Sequence, residues 1–285
     1  MILKVKSFNR ILLFSSLLLS PCAATLPAQA ATFSSAQGLL EIKFNQLPVD
    51  SSTDTDTDTD ILVADGDVTA TADANAVFAS AADQPLACLL SEPSPPAACN
   101  FVDNQVRGEG LNYTGIARSS SQVIGEFLVR KNQTFSFDFL AALELATGID
   151  YAQQEQAKAT GSLSFQLFAK TRNDNYRLLD AFSLDGRLKT SGGGDFLTPK
   201  TKGNVLIDAS QTNLSTNFGG TEENASALIA GSLSRTFRRT TQLLLVETKT
   251  GEAIAKSSVP EPSNAIAMLL VMGGGIWWQR SIKRE

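Results

Sequence analysis

The chain predicts an all-β, antiparallel fold of sandwich or jelly-roll type, on three observations. Short runs in which apolar and polar residues alternate with period 2 recur from residue 39 to residue 255. Glycine, asparagine and aspartate turn signals separate those runs. No stretch longer than two helical turns shows an amphipathic 3.6-residue period.

The elements follow in order. Residues 39–44 (Leu-Leu-Glu-Ile-Lys-Phe) make a first strand. Residues 50–60 form a low-complexity Asp/Thr repeat, expected to be a solvated, mobile acidic loop. Residues 68–80 alternate small apolar with polar residues and make a half-buried strand. Residues 110–121 and 122–129 read as a further pair of strands. Lys131-Asn132-Gln133 turns the chain into residues 134–145, the clearest strand of all. There Phe135, Phe137 and Phe139 share one face, and Ser136 and Asp138 the other. Residues 150–158 are polar and fit a short helical turn or a long hairpin loop. Residues 161–169 alternate again, with Leu163, Phe165 and Leu167 on one face. Residues 178–184, 204–208, 225–234, 240–248 and 252–255 continue the pattern. Asp185-Gly186, Gly192-Gly193-Gly194 and Gly219-Gly220 are the expected turns between them.

Both ends of the chain carry targeting signals. Lys4, Lys6 and Arg10 precede an apolar run over residues 11–19, and Ala28-Gln29-Ala30 offers a cleavage site before Ala31. Residues 1–30 therefore read as a signal peptide. At the other end, Val259-Pro260-Glu261-Pro262 cannot be helical throughout, because each proline fixes its own φ and pushes its predecessor toward extended geometry. Residues 263–278 follow without a charge. At ~1.5 Å per residue they would span roughly 24 Å as a helix, short for a bilayer. Trp277 and Trp278 suit the interface, and Arg280, Lys283 and Arg284 form a basic stop on the cytoplasmic side. The expected division is a leader (1–30), a strand with its acidic loop (31–67), a β-sandwich ectodomain (68–256) and a sorting tail (257–285) with a transmembrane helix over 263–278.

The order Val259-Pro260-Glu261-Pro262-Ser263, apolar run with Gly273-Gly274-Gly275, and basic terminus resembles the PEP-CTERM sorting domain of bacterial surface proteins. The ectodomain, with its Phe-Leu-Val, Phe-Ser-Phe-Asp-Phe and Ser-Leu-Ser-Phe runs, is similar to those of cyanobacterial members. The resemblance implies processing near Pro260–Pro262 by exosortase, a membrane-embedded cysteine protease, in a host that makes extracellular polysaccharide. It implies export, initial anchoring with the ectodomain outside, and then a cell-surface or extracellular location. It implies no activity for the ectodomain.

Three of the 24 basic residues fall in the leader and three in the tail, against two of the 29 acidic ones. The exported part keeps 18 basic and 27 acidic residues, a formal charge of −9, which disfavours nucleic acid as a partner. Cys88 and Cys99 are the two cysteines that survive leader removal. In an oxidising compartment they read as one disulfide closing a proline-rich loop.

The chain contains no histidine. That removes Ser-His-Asp and Cys-His catalysis and histidine-ligated zinc. Paired carboxylates remain open to a hydrolase acting on polysaccharide, with Asp138, Glu144 and Glu126 as the nominees. Asp54, Asp56, Asp58 and Asp60, helped by Asp65 and Asp67, are candidate calcium ligands, although calcium loops want glycine turns and ligands from several directions. Otherwise no cofactor is expected. Arg235, Arg238, Arg239 and Lys249 form the one basic cluster, either a solvated strand face or a contact for anionic polysaccharide. The leading expectation is a non-enzymatic adhesion or matrix protein. The alternatives are the carboxylate hydrolase and a calcium-dependent binding module.

Overall fold

A computed structural model describes residues 31–79, 96–190 and 192–258 of the 285. These residues are all-β and wholly antiparallel, as the alternation predicts. The strands are β1 (Ala31–Phe44), β2 (Asp50–Ala79), β3 (Ala97–Val129), β4 (Thr134–Gly148), β5 (Glu155–Lys170), β6 (Tyr176–Thr190), β7 (Phe196–Lys202), β8 (Val205–Ile207), β9 (Asn213–Asn217), β10 (Glu222–Thr236) and β11 (Thr241–Ser258). One 3-10 turn at Ala209–Gln211 interrupts them. Among the described residues no helix is long and apolar enough to cross a membrane. The expected leader, the sorting motif Val259–Pro262, the span 263–278 and the basic stop Arg280, Lys283 and Arg284 lie outside the described residues.

The strands form one sheet in the order β7-β6-β5-β11-β3-β1-β4-β10-β8, with β2 beside β3 and β9 beside β10. The sheet is folded over so that it makes a nearly closed barrel, rather than the two separate sheets of a simple sandwich. Its fold line is the β2–β3 hairpin. The first half of β3 pairs with β1 (Ala97↔Lys43 to Glu109↔Ala31), and the second half pairs with β11 (Asn112↔Ser258 to Val129↔Thr241). Strand β2 accompanies both halves, with register shifts around Asp65. At the bend Gly66 and Gly110 have φ of 126° and 113°, a region that costs an L side chain energy but not glycine. The two halves then face one another: the Tyr113 hydroxyl donates to the Gly108 carbonyl at 3.0 Å, and Asn104 Nδ2 donates to Ser119 Oγ at 2.7 Å.

On the far side, residues 196–217 cross from the edge of β6 to the edge of β10. Side chains complete the seam there. Arg235 on β10 donates twice to Asp180 on β6, and Thr190 on β6 hydrogen-bonds both Thr147 on β4 and Glu223 on β10.

The core fills the barrel with the faces that period 2 selects. Phe135, Phe137 and Phe139 of β4 are buried, as are Leu163, Phe165 and Leu167 of β5, each as the alternation predicts. Phe137 meets Phe165 edge-on at 5.2 Å between ring centroids, and Phe139 meets Phe182 at 4.9 Å, so opposite walls interlock through aromatic pairs.

Several expected boundaries differ. The run at 39–44 is only the end of β1, which begins at Ala31. Residues 110–121 and 122–129 are not two strands but parts of one 33-residue strand, because pairing with β11 and β2 runs unbroken across Ser121 and Gln122. The Asp/Thr repeat is not a loop. It is an edge strand, hydrogen-bonded to β3 from Asp50↔Glu126 onward. Backbone pairing outweighs the low hydrophobicity of its side chains, which stay in water on both faces. Residues 240–248 and 252–255 are one strand, β11. Asp185-Gly186 is no turn but mid-strand. A Cβ on Gly186 would sit 2.8 Å from Leu145 Cδ1, so this glycine serves packing across the barrel. The turns at Lys131-Asn132-Gln133 and Gly219-Gly220 are where the sequence puts them, with Asn132 at φ 63°.

Candidate functional site

Two regions concentrate polar chemistry: the acidic outer edge and a polar seam inside the barrel. The edge comes from the period-2 rule applied to Asp-Thr-Asp-Thr. Residues 113–129 of β3 bury their odd-numbered side chains. In register, the threonines 53–59 fall on that same face and Asp54, Asp56, Asp58 and Asp60 on the outer one. All of residues 50–67 are exposed. Asp58 lies 3.6 Å from Arg118, which also reaches Glu252 at 2.9 Å; Lys158 completes the row with a 2.7 Å contact to Glu252. Acid, base, acid, base thus alternate across β2, β3, β11 and β5. Burial pushes the Glu252 carboxyl up, but hydrogen bonds from Lys158 and Arg118 outweigh it and hold the group below its ordinary value. A shallow surface hollow beside this row is lined by Asp56, Asp58, Arg118, Thr250 and Glu252.

The candidate calcium ligands share a strand but do not converge. Side chains two residues apart on one face stand roughly 7 Å apart, too far to share one ion. Among the described residues no group of three or more acidic or cysteine side chains is placed to hold a metal. Asp65 and Asp67 lie at the register shift, off the regular ladder.

The nominated carboxylates also stay apart. Asp138 and Glu144 both occupy β4, six residues and so roughly 20 Å from one another, while Glu126 belongs to β3 and accepts from Gln242 at 3.1 Å. Burial raises the Asp138 carboxyl against a partly offsetting Lys43, and burial raises Glu144. Neither forms the facing pair that glycoside hydrolysis needs.

Of the expected basic cluster, Arg238 and Arg239 stay exposed at the bend after β10, while Arg235 and Lys249 are engaged elsewhere. Arg235 is committed to Asp180, which is fully buried and also accepts from the Asn204 amide at 2.7 Å. Lys249 points the other way, into the barrel, with 1% of its surface exposed. Spacing along the sequence put these residues near each other, but strand alternation and the turn after β10 send them to different faces.

The interior seam has no counterpart in the sequence reading. Odd-numbered β11 residues face inward, and that places Glu247 and Lys249 inside along with Leu243 and Leu245. Asn100 and Asn104 face them from the first half of β3. Lys249 Nζ donates to the Asn100 carbonyl oxygen. The lysine stem passes beside Gly38, where a Cβ would meet Lys249 Cδ at 3.6 Å and Val102 Cγ2 at 3.4 Å, ordinary contact distances. Both Glu247 oxygens and both Asn100 amide atoms are buried without a hydrogen-bond partner. Desolvation pushes the Glu247 carboxyl up to about 8 although Lys249 works against it, and desolvation takes Lys249 well below its ordinary value. The signal available in the sequence was the position of Glu247 and Lys249 in phase with Leu243 and Leu245.

Cys99 is fully buried and packs with Leu39 and Ala142; Cys88 lies outside the described residues. Neither a protein-family model nor a curated protein matches the chain.

Proposed function

We propose that the protein is an exported, non-enzymatic component of the cell surface or extracellular matrix, delivered through a PEP-CTERM tail that an exosortase-type protease processes near Pro260–Pro262. Its barrel acts in adhesion or matrix structure, with extracellular polysaccharide as the partner class. The observation that carries this reading is the acidic strand β2, which presents residues 50–67 to solvent on both faces. Such a strand offers a long, flat, polar contact strip rather than an enclosed pocket. The dispersal of Asp138, Glu144 and Glu126 takes away support from the hydrolase alternative. The tail motif and the leader support export and anchoring, and Cys88 with Cys99 is proposed as a disulfide formed after export.

Calcium enters as a bridge between this strip and an anionic polymer rather than as an enclosed ion, because the Asp side chains are spread along the strand. The test is binding of the exported protein to the host's own polysaccharide, with calcium and with chelator. Retention that calcium strengthens and that Asp54, Asp56, Asp58 and Asp60 to Asn substitutions abolish supports the strip as the contact. Retention that neither calcium nor those substitutions changes moves the contact elsewhere. Mass analysis of the mature protein tests the tail: a surface form that keeps Trp277-Trp278 peptides argues against processing.

A further inference from the structure

The half of the sheet that runs β7-β6-β5-β11-β3-β2 ends in two open edges of opposite charge. Among the described residues β7 pairs with β6 alone, and β2 with β3 alone. We propose that these edges pair with one another between copies of this chain, β2 of one against β7 of the next, so that the protein assembles head to tail into a continuous sheet.

Strand direction permits this. Every neighbouring pair in this half of the sheet is antiparallel, so β2 runs opposite to β7. A copy shifted sideways along the sheet therefore meets its neighbour in an antiparallel pair, with its outer face on the same side.

The backbone groups agree as well. The Ser258 N–H donates to the Gln154 carbonyl oxygen at 3.0 Å, so even-numbered residues of β11 turn their backbone groups toward β5 and odd-numbered ones toward β3. Carried through the registers, this alternation points the N–H and C=O groups of Thr53, Thr55, Thr57 and Thr59 out of the β2 edge. At the other end it points those of Leu197 and Thr201, and the Pro199 carbonyl, out of the β7 edge. Pro199, which has no N–H, thus sits where it takes nothing from the ladder with β6.

The side chains match in phase. Lys200 and Lys202 lie opposite Ser183 and Ala181, on the face away from the core, whereas Thr201 lies opposite the buried Phe182. Asp54, Asp56, Asp58 and Asp60 share that outer face, and the threonines between them share the inner one. Lys200, Thr201 and Lys202 are exposed. Among the four aspartates, within the described residues, only Asp58 has a basic neighbour of its own, Arg118 at 3.6 Å. Lys-Thr-Lys set against Asp-Thr-Asp puts each ammonium beside a carboxylate, while the outward backbone groups of the threonines meet.

The competing arrangement sets β2 against a second β2 about a twofold axis. It satisfies the same backbone groups but places aspartate opposite aspartate, which is unfavourable across a strand pair. The charges thus reject the symmetric dimer and select the open, heterologous chain of copies. This goes beyond the polysaccharide reading, because it needs only the protein itself.

Zero-length carbodiimide cross-linking of the purified full chain in mild detergent, with isotope-labelled and unlabelled copies mixed, tests the pairing. The expected product joins Lys200 or Lys202 of one copy to the Asp54–Asp60 segment of another, and high salt should reduce it. Lys200→Glu with Lys202→Glu should weaken association, read by sedimentation at low salt, at least about tenfold. Changing Asp54, Asp56, Asp58 and Asp60 to Lys should do the same, and unchanged melting shows that each variant is folded. An equimolar mixture of the two variants should recover the wild-type association, because each offers the other a complementary edge. Charge is swapped rather than deleted, since neutral edges would also pair with their own kind. A wild type that stays monomeric at low salt up to millimolar concentration overturns the proposal. So does association that the lysine substitutions leave unchanged, or a mixture as dissociated as its components. No polysaccharide is present in any arm, so failure here and failure of the polysaccharide contact are separate results.

Discussion

Arg235 clamps Asp180 with two hydrogen bonds of 2.9 and 2.8 Å, joining β10 to β6 where the sheet does not close through backbone pairing. Asp180 has no exposure, whereas the Arg235 side chain keeps about a quarter of its surface in water. The buried acid is therefore the member that depends on its partner.

Arg235→Ala is expected to destabilise the barrel by about 2–3 kcal/mol, because it leaves a buried carboxylate with only the Asn204 amide to satisfy it. Thermal melting followed by circular dichroism should show a fall of roughly 5–10 °C. Asp180→Asn in the Arg235→Ala background should restore part of that loss, since the uncompensated charge is gone.

The bend in the β2–β3 hairpin is expected to tolerate no side chain. A Cβ on Gly66 would lie 2.1 Å from the Glu109 carbonyl oxygen, and one on Gly110 2.4 Å from Gly66 Cα. Gly110→Ala adds positive-φ strain to that clash, for a loss of about 2 kcal/mol or more. Denaturant titration measures it, and an unchanged midpoint would show that the bend can relax.

Phe165 contacts Phe137 and Phe139 across the barrel and stacks on Phe182, its partner on the neighbouring strand β6. Phe165→Ala is expected to cost about 3–5 kcal/mol through lost contact and the cavity left behind, again read from the denaturation midpoint.

The stability of the fold should carry a signature of Glu247. Its carboxyl stands at about 8 in the folded chain against 4.5 ordinarily. Between those values the unfolded chain releases the proton and the folded one keeps it, so stability falls as pH rises from about 4.5 to about 8 and this contribution levels off above. Glu247→Gln should flatten that slope. Lys249 works in the opposite sense, with stability gained as pH climbs toward its ordinary value. Denaturation midpoints at a series of pH values for both chains check the sign.

The aspartates also guard an edge. Among the described residues only β3 pairs with β2, and like charges face outward along it. Replacing Asp54, Asp56, Asp58 and Asp60 with Asn removes the repulsion that keeps two such edges apart. Light scattering should then show more self-association than in wild type at equal concentration.

The sequence made the core faces legible where alternation is strong. Phe135, Phe137 and Phe139, and Leu163, Phe165 and Leu167, are buried as their spacing requires. It was misleading where composition and pairing disagree. An Asp/Thr repeat reads as loop because it buries nothing, yet a neighbouring strand of matching length holds it extended. The interior seam was hidden for a related reason. Glu247 and Lys249 look like surface residues by type, and only their phase with Leu243 and Leu245 turns them inward. Asn100 lies on the opposite wall, 149 positions away from Lys249, a contact that no local pattern encodes.

The 18 residues of β11 are paired along their length with β3 and, from Leu243 to Ser257, with β5. The strand enters at the end of the barrel that holds Val129 and leaves at Ser258, beside Asn112 and Gln154. A body tethered beyond Ser258 and loaded at its far end would carry tension along this strand. The pull would slide β11 between two ladders, straining their hydrogen bonds together rather than peeling them one at a time. Load applied there is shared by the ladders with β3 and β5, so β11 yields by shear across both rather than by opening one bond after another.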